Sequence, residues 1–185
     1  FEQDNYSVIA NIPYNITSPI LRKFLANTKN RPEQMVLMVQ KEVGEKVCMS
    51  KGQRGRGAEN GSNEKRKIKR SILSISVEIF AEAQYGFTVD RTCFSPVPGV
   101  DSAVIRIARR EKPLVSPEME RAFFTVVNGG FSEKRKKLKN SLEKFFGFSA
   151  SEILGDIDGN TRAEDLEIED WIGLTERFRE HEGVE

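Results

Sequence analysis

Histidine and cysteine are scarce in this chain of 185 residues, which contains one histidine, His181, and two cysteines, Cys48 and Cys93. A serine or cysteine hydrolase needs a histidine base with further partners, and the sequence shows none for His181. The two cysteines have neither the spacing of metal ligands nor that of a disulfide framework. We therefore expect no hydrolase chemistry, no metal site and a reducing compartment.

Long apolar runs are also missing, since none approaches the roughly 18 residues of a membrane span. No stretch has the pattern of a secretory signal peptide. The composition, with 38% hydrophobic residues, is that of a globular protein with room for about one domain and a small appendage. These features predict a cytoplasmic protein without membrane contact.

The charge is nearly balanced, with a formal net charge of +1, but it is unevenly distributed. Residues 51–70 contain eight basic and two acidic side chains, whereas residues 150–185 contain three basic and twelve acidic ones. This asymmetry predicts a polyanionic partner that approaches one face.

A polar and aromatic tetrapeptide follows the short apolar run at residues 8–10, which fits a buried strand. In open α/β sheets, the loops that follow such strands carry the functional groups. The tetrapeptide is Asn11, Ile12, Pro13 and Tyr14. Its position predicts that the chemistry is located there.

The same four residues suit methylation of an exocyclic amine on a base. The Asn11 side-chain oxygen and the Ile12 carbonyl, extended because Pro13 follows it, can each accept a hydrogen bond from the amine. Tyr14 offers a flat face on which an extruded base can stack. Taken alone, the tetrapeptide is more typical of a strand that ends in a proline turn with a half-buried tyrosine.

Three stretches in order resemble the small-subunit ribosomal RNA adenine dimethyltransferases. Residues 11–21, Asn-Ile-Pro-Tyr-Asn-Ile-Thr-Ser-Pro-Ile-Leu, resemble the amino-methyltransferase motif of that family. Residues 94–107, from Phe-Ser-Pro-Val-Pro-Gly onward, and residues 131–142, Phe-Ser-Glu-Lys-Arg-Lys-Lys-Leu-Lys-Asn-Ser-Leu, resemble two later stretches. Together with residues 161–164, the resemblance spans nearly the whole chain.

The resemblance implies an α/β fold, a partial Rossmann-like methyltransferase sheet followed by a small all-helical domain. It implies dimethylation of N6 in two adjacent adenosines of small-subunit rRNA during ribosome biogenesis, with S-adenosylmethionine as the methyl donor. Asn11, Ile12, Pro13, Tyr14 and Phe94 would be the catalytic residues. Phe94 would face Tyr14 across the flipped adenine, and Asn11 would also border the donor.

The chain begins with Phe1 rather than methionine, and it enters a strand almost at once. In the resembled family, a glycine-rich loop and two acidic strand ends that hold the donor precede the amino-methyltransferase motif. We therefore expect these residues to be the C-terminal portion of a longer enzyme, and the fragment alone to be inactive.

The predicted domains are residues 1–112, the C-terminal part of the catalytic domain, and residues 113–185, a helical RNA-binding domain. Within the first, residues 51–70 are expected to form a flexible basic loop. Residues 71–83 fit both a strand and a helical face, and the resemblance favours the helix. Further predicted elements are a helix from Ser18-Pro19, a strand at 35–39, a helix at 41–49, strands at 87–89 and 100–108, a helix from Ser116-Pro117 closed by Gly129-Gly130, and a last helix with Trp171, Leu174 and Phe178 on one face.

A basic run predicts contact with RNA phosphates. Its members are Lys134, Arg135, Lys136, Lys137 and Lys139. Four cations at a helix start oppose the helix dipole, and a bound phosphate would relieve that repulsion. The simpler interpretation of such a run is a solvated helix face.

Two other functions stay open from the sequence. One is the sister class that methylates large-subunit rRNA and confers macrolide resistance, since it shares the Asn-x-Pro-Tyr logic. The other is a non-enzymatic assembly factor that binds rRNA. For the function that the resemblance implies, the expected partner is small-subunit rRNA in the immature small subunit. The protein is expected to be a monomer.

Overall fold

The computed structural model describes residues 6–26, 31–48 and 69–183. Among them, residues 6–48 and 73–113 form one compact unit, and residues 69–72 and 114–183 form a second. The predicted basic loop lies outside the described residues, except for Lys69 and Arg70. These two residues belong to the second unit, where Lys69 pairs with Glu164 and the Arg70 guanidinium lies 2.5 Å from a Glu167 carboxylate oxygen.

The first unit is a four-stranded mixed sheet with three helices. Its strands run in the order β1-β2-β4-β3, with β1 parallel to β2 and with β4 antiparallel to both of its neighbours. The strands are β1 (Ser7–Asn11), β2 (Gln34–Gln40), β3 (Ala81–Val89) and β4 (Ser102–Arg109), and the helices are α1 (Thr17–Ala26), α2 (Lys41–Val47) and α3 (Ile72–Phe80). The predicted α/β class is confirmed.

Alternation along β2 and β4 builds the core of this unit. Met35, Leu37 and Val39 of β2 are almost fully buried, as are Ile105 and Ile107 of β4. These positions are two apart, so their side chains lie on one face of the sheet. The apolar run predicted as a strand at 35–39 is therefore a strand buried on one face.

Strand β1 lies at an edge of the sheet formed by the described residues. Ile9, at its centre, is 83% exposed, although its neighbour Ile12 is buried. Residues 8–10 therefore form the predicted strand, but the prediction that this strand is buried is wrong for the part of the chain that the structure describes.

The stretch with an ambiguous pattern, residues 71–83, is a helix followed at once by a strand. Helix α3 ends at Phe80, and β3 begins at Ala81. Ser74, Ser76 and Glu78 are as buried as the apolar residues between them. A helix that is buried on all sides has no polar face, so its sequence shows neither a clear helical period nor a clear strand alternation.

The second unit consists of helices around an apolar core. They are α4 (Pro117–Phe131), α5 (Leu138–Phe146), α6 (Ser151–Leu154) and α7 (Ile168–Glu182). Helix α4 starts as predicted, with Ser116 at the N-cap and Pro117 in the first turn. Trp171 and Leu174 of α7 are fully buried, and so is Phe123 of α4.

The prediction that Gly129-Gly130 closes α4 is wrong, because the helix continues to Phe131. A Cβ on Gly130 would lie 2.4 Å from Cη2 of Trp171, and one on Gly129 would lie 3.0 Å from the Phe145 ring. The two glycines therefore let aromatic rings pack directly on the backbone of α4 rather than ending the helix.

No helix within residues 6–26, 31–48 and 69–183 is both long and apolar enough to cross a membrane.

We predict that Gly130→Ala destabilises the protein. Alanine gains about 1 kcal/mol of helix propensity, but overpacking against buried Trp171 typically costs about 1–3 kcal/mol. Urea unfolding followed by tryptophan fluorescence should show a lower midpoint. The control is Gly173→Ala in α7, where the nearest atom is the terminal nitrogen of Arg177 at 3.3 Å. If Gly130→Ala were no less stable than Gly173→Ala, the packing argument would fail.

The two cysteines should differ sharply in reactivity. Burial raises the pKa of Cys48 to about 12, whereas Cys93 is exposed. Since the thiolate is the reactive species, a maleimide at pH 8 should label Cys93 and leave Cys48 unmodified until denaturant is added. Mass spectrometry of the labelled peptides checks this, with Cys93→Ser as the control that should abolish native labelling. Rapid native labelling of Cys48 would contradict its burial.

Candidate active site

The site begins where β1 ends. Asn11 is the last residue of β1, and Pro13, with a backbone ψ of 134°, turns the chain into a short 3-10 helix over Tyr14–Ile16. The Ile16 amide donates to the Pro13 carbonyl at 3.1 Å. The Asn11 side chain is exposed, and within the described part of the chain no hydrogen bond engages it. Its amide is therefore available to a ligand.

A residue of β4 holds the Tyr14 side chain in place. Its hydroxyl lies 2.6 Å from Oγ of Ser102, the first residue of β4. Ser102 is fully buried and pairs with Gln40 of β2 and Val89 of β3. The sequence analysis did not find this bond, because it joins residues 88 positions apart.

The loop that carries Phe94 connects β3 to β4. Asp90 caps a 3-10 turn at its start by accepting bonds from the Thr92 amide at 2.8 Å and the Thr92 hydroxyl at 2.6 Å. These bonds hold the pKa of Asp90 below its ordinary value. The Phe94 amide then donates to the Arg91 carbonyl, and the Ser95-Pro96 peptide bond that follows is cis. Local hydrogen bonds thus define the backbone on which Phe94 sits.

Asp101 closes the same loop. Its carboxylate accepts a bond from the Arg91 amide at 3.3 Å and lies 3.7 Å from Nζ of Lys41. Its carbonyl accepts a bond from the Lys41 amide at 3.0 Å. Asp101 therefore holds the end of this loop against its start and against the first residue of α2.

The two segments meet in a cleft of about 330 Å³. All five residues that the sequence indicated as catalytic line it, together with three further residues of the Phe94 loop. The lining residues are Asn11, Ile12, Pro13, Tyr14, Phe94, Ser95, Pro96 and Pro98.

The chemistry of this lining is that of a binding surface for a flat polar group. Asn11 contributes an amide, and Tyr14 and Phe94, both half-buried, contribute aromatic rings. Among the described residues that line the cleft, none has a carboxyl, imidazole or amino side chain. The arrangement suits hydrogen bonding and stacking, not general acid-base catalysis.

The basic residues indicated for RNA contact lie in the second unit. Lys134, Arg135, Lys136 and Lys137 are exposed in the turn between α4 and α5, and Lys139 lies in the first turn of α5. The expected helical placement of the four consecutive cations is therefore wrong, since α5 begins only at Leu138.

The amides at the start of α5 are already used. The Leu138 amide donates to the Thr161 carbonyl at 2.8 Å, and the Lys139 amide donates to the Gly159 carbonyl at 3.2 Å. These two amides are therefore satisfied by protein carbonyls. The exposed cationic side chains of the turn are the groups that would attract a phosphate.

The side chains of Lys134, Arg135 and Lys136 are exposed, whereas Nζ of Lys139 lies 3.8 Å from a Glu143 carboxylate oxygen. Nζ of Lys137 donates to Asn160 at 2.6 Å, which leaves further donors on the ammonium group. Glu133, the acid next to the run, is bound by Lys144, which holds the pKa of Glu133 below its ordinary value. A polar cleft of about 520 Å³ borders Lys137 and Lys139.

Within the part of the chain that the structure describes, no group of three or more His, Cys, Asp or Glu side chains is arranged to hold a metal ion.

Comparison with known proteins gives relatives of one kind. The profile of the family described as Ribosomal RNA adenine dimethylase matches residues 2–180. "Ribosomal RNA small subunit methyltransferase A" of Fusobacterium nucleatum is 39% identical over 180 residues, with 92% of this chain and 61% of the relative covered. The protein of the same name from Enterococcus faecalis is 33% identical, with 98% and 60% covered. The chain thus spans about 60% of the length of these relatives.

Two solved structures have a similar fold. The 23S rRNA methyltransferase ErmE superposes with a TM-score of 0.65 at 23% identity, over 94% of this chain and 65% of that one. A dimethyladenosine transferase from Plasmodium falciparum superposes with a TM-score of 0.68 at 22% identity, over 95% and 67%. The two solved structures support the fold of this chain, and the family profile with the more similar relatives supports its membership of a family. The chain belongs to the ribosomal RNA adenine dimethylase family.

Proposed function

We propose that the protein containing this chain dimethylates N6 of adenosines in small-subunit rRNA, with S-adenosylmethionine as the methyl donor. One observation carries the proposal: an amide and two aromatic side chains, from segments about 80 residues apart, line a single cleft. The relatives named as small-subunit methyltransferases favour the small subunit over the large one as the source of the RNA.

In this proposal, Tyr14 and Phe94 hold the extruded adenine between them. Both rings line the cleft and are half-buried, so each keeps a face available for stacking. Extrusion of a base costs a few kcal/mol, and stacking on aromatic side chains offsets part of that cost.

Asn11 and Ile12 orient the amine. The N6 amine is a poor nucleophile, because its lone pair is delocalised into the ring. Acceptors at the Asn11 side-chain oxygen and the Ile12 carbonyl would hold its hydrogens and direct its lone pair. The amine loses its proton to solvent after methylation, when it is acidic, so no base of tuned pKa is needed. Positioning then supplies most of the rate enhancement.

The donor fits the same end of the sheet. Ligands of open α/β sheets bind beyond the carboxyl ends of the strands, and Asn11, with its unengaged amide, lies at that end of β1. When bound, S-adenosylmethionine supplies the methyl group. Asn11 is the described residue that we propose borders it.

The basic run of the second unit, residues 134–137 with Lys139, would bind RNA phosphates. Lys134, Arg135 and Lys136 are exposed, and acidic Glu133 is paired with Lys144. Long cationic side chains on a turn can follow a phosphate backbone without a preformed pocket. The partner would be the immature small ribosomal subunit, the location the cytoplasm and the enzyme a monomer.

The first test is tritiated methyl transfer to immature small subunits by the whole encoded protein, including any residues that precede Phe1. The product is digested to nucleosides, and N6,N6-dimethyladenosine is expected. Isolated large subunits serve as the comparison substrate. Label confined to large subunits would indicate the macrolide-resistance type of enzyme. Salt-sensitive subunit binding without any label would indicate an assembly factor.

We expect Asn11→Ala to lower turnover by on the order of 10²-fold, the usual effect of removing one positioned hydrogen-bonding group. Affinity for the small subunit should change little, because the RNA contacts lie elsewhere. Asn15→Ala is the matched control, since Asn15 is exposed in the same motif and outside the cleft lining. Turnover of Asn11→Ala equal to that of Asn15→Ala would refute the proposed mechanism.

Replacing Lys134, Arg135 and Lys136 together by Gln should weaken RNA binding and flatten its salt dependence. Each lost phosphate contact reduces the slope of log K against log salt by about 0.7–0.9. Filter binding at several salt concentrations measures the slope.

A single-charge control for this prediction compares Arg135→Gln with Arg121→Gln. Arg121 is an exposed cation of the same unit on α4, away from the basic run in sequence. A slope changed equally by the two variants would mean that the run contributes only general charge.

A further inference from the structure

Asp101, the last residue before β4, and Ser102, the first residue of β4, bond to the two segments that carry the aromatic side chains of the cleft. Ser102 bonds to the Tyr14 hydroxyl, and Asp101 bonds to the base of the Phe94 loop. We propose that Asp101 and Ser102 are positioning residues that set the separation and orientation of Tyr14 and Phe94 for the target base. This proposal rests on the proposed function, and neither residue lines the cleft itself.

Ser102 is a rigid anchor. It is fully buried, and its backbone is paired with Gln40 on one side and Val89 on the other, so its Oγ has little freedom to move. The 2.6 Å separation from the Tyr14 hydroxyl is that of a good O–H···O bond. A bond at the far end of a phenol ring fixes where that end lies and so restrains the first side-chain torsion, whereas it restrains the plane of the ring only through the preference of the phenol O–H for that plane. Ser102 therefore fixes the position of the Tyr14 ring beside the cleft.

Asp101 anchors the opposite side. Its carboxylate accepts from the Arg91 amide, and the Arg91 carbonyl accepts from the Phe94 amide at 3.3 Å. The carboxylate also lies 3.7 Å from Nζ of Lys41, whose amide donates to the Asp101 carbonyl. One residue thus connects the loop of Phe94 to the start of α2.

Asp101 and Ser102 share a peptide bond, so the Tyr14 side chain and the loop that carries Phe94 are both attached to the same point of the backbone. The distance between the two rings, which sets the gap for a base, would then vary little with fluctuations of the Phe94 loop. Stacking on two faces requires such a defined gap, and small misplacements of a bound group are costly in rate.

The bond to Ser102 also indicates the role of the Tyr14 hydroxyl. An oxygen engaged by buried Ser102 serves to hold the ring, not to contact the base or to transfer a proton. Removing the hydroxyl from Tyr14 or from Ser102 should therefore have the same effect, and removing both should add nothing. A hydroxyl that contacted RNA directly would give a larger loss in Tyr14→Phe than in Ser102→Ala.

The test is a double-mutant cycle in the whole encoded protein with immature small subunits as substrate. Tyr14→Phe, Ser102→Ala and the double variant should each lower kcat by about tenfold, with KM for the subunit nearly unchanged. Tyr14→Phe removes the bond from its half-buried end, so the cycle remains informative if Ser102→Ala folds poorly. Thr175→Val is the control: it deletes a fully buried hydroxyl, bonded to the Trp171 carbonyl, in the second unit and should leave kcat unchanged.

Asp101 is tested by two substitutions. Asp101→Asn keeps an acceptor for the Arg91 amide but loses the charge that faces Lys41, whereas Asp101→Ala loses both. We expect kcat to fall more in Asp101→Ala, since both side chains of the ion pair are partly exposed and the pair is screened. Equal losses would place the effect on the charge rather than on the loop and overturn the role given to Asp101.

A second measurement needs no methyl donor. A hairpin RNA with 2-aminopurine in place of the target adenine should change its fluorescence when the base leaves the RNA stack and enters the cleft of the wild-type protein. Ser102→Ala and Tyr14→Phe should reduce this change to the same extent, and Thr175→Val should leave it as in the wild type.

The outcomes separate the two proposals. Wild-type protein that transfers no methyl group would overturn the proposed function and the positioning role with it. Active wild-type protein with normal kcat in Ser102→Ala, or with additive losses in the double variant, would overturn only the positioning role.

Discussion

The pairing of β4 with both β2 and β3 is the constraint on which the first unit depends. It is antiparallel to each neighbour, and its first residue, Ser102, is opposite Gln40 and Val89. Gln40 and Val89 are the last residues of β2 and β3. The loop before β4 therefore lies at the same end of the sheet as Asn11, the last residue of β1. Without this pairing, Phe94 would have no fixed relation to Tyr14, and the cleft would not form.

The composition of the cleft suits hydrogen bonding and stacking more than proton transfer. Its described lining offers an amide, two aromatic rings and three residues of a proline-rich loop, and none of these residues carries a carboxyl, imidazole or amino side chain. The perturbed pKa values belong instead to groups that hold structure, such as Asp90 at its cap and Cys48 in the core. A site of this kind is supported by hydrogen bonds behind its walls, and the Tyr14–Ser102 bond is one of them.

The second unit illustrates how aromatic packing can override local signals. Gly129 and Gly130 look like a helix end, yet Trp171 and the phenylalanine rings pack where side chains would be, and α4 continues. The chain then needs a turn before the next helix, and the cations of the basic run occupy that turn. Their exposure is a consequence of where the helices end, not of a helical charge pattern.

The sequence alone determined the elements whose signals are local. The apolar runs became β1 and β2, the Ser116-Pro117 pair started α4, and the tetrapeptide from Asn11 to Tyr14 followed a strand, because propensity, capping and alternation act over a few residues. The pairing of Phe94 with the tetrapeptide in one site was available only through the resemblance. Tertiary structure decided the strand order, the end of α4, the position of the basic run in a turn and the bond from Ser102 to Tyr14. Each of these depends on contacts between residues far apart in sequence, and no local pattern encodes which distant group will fill a given space.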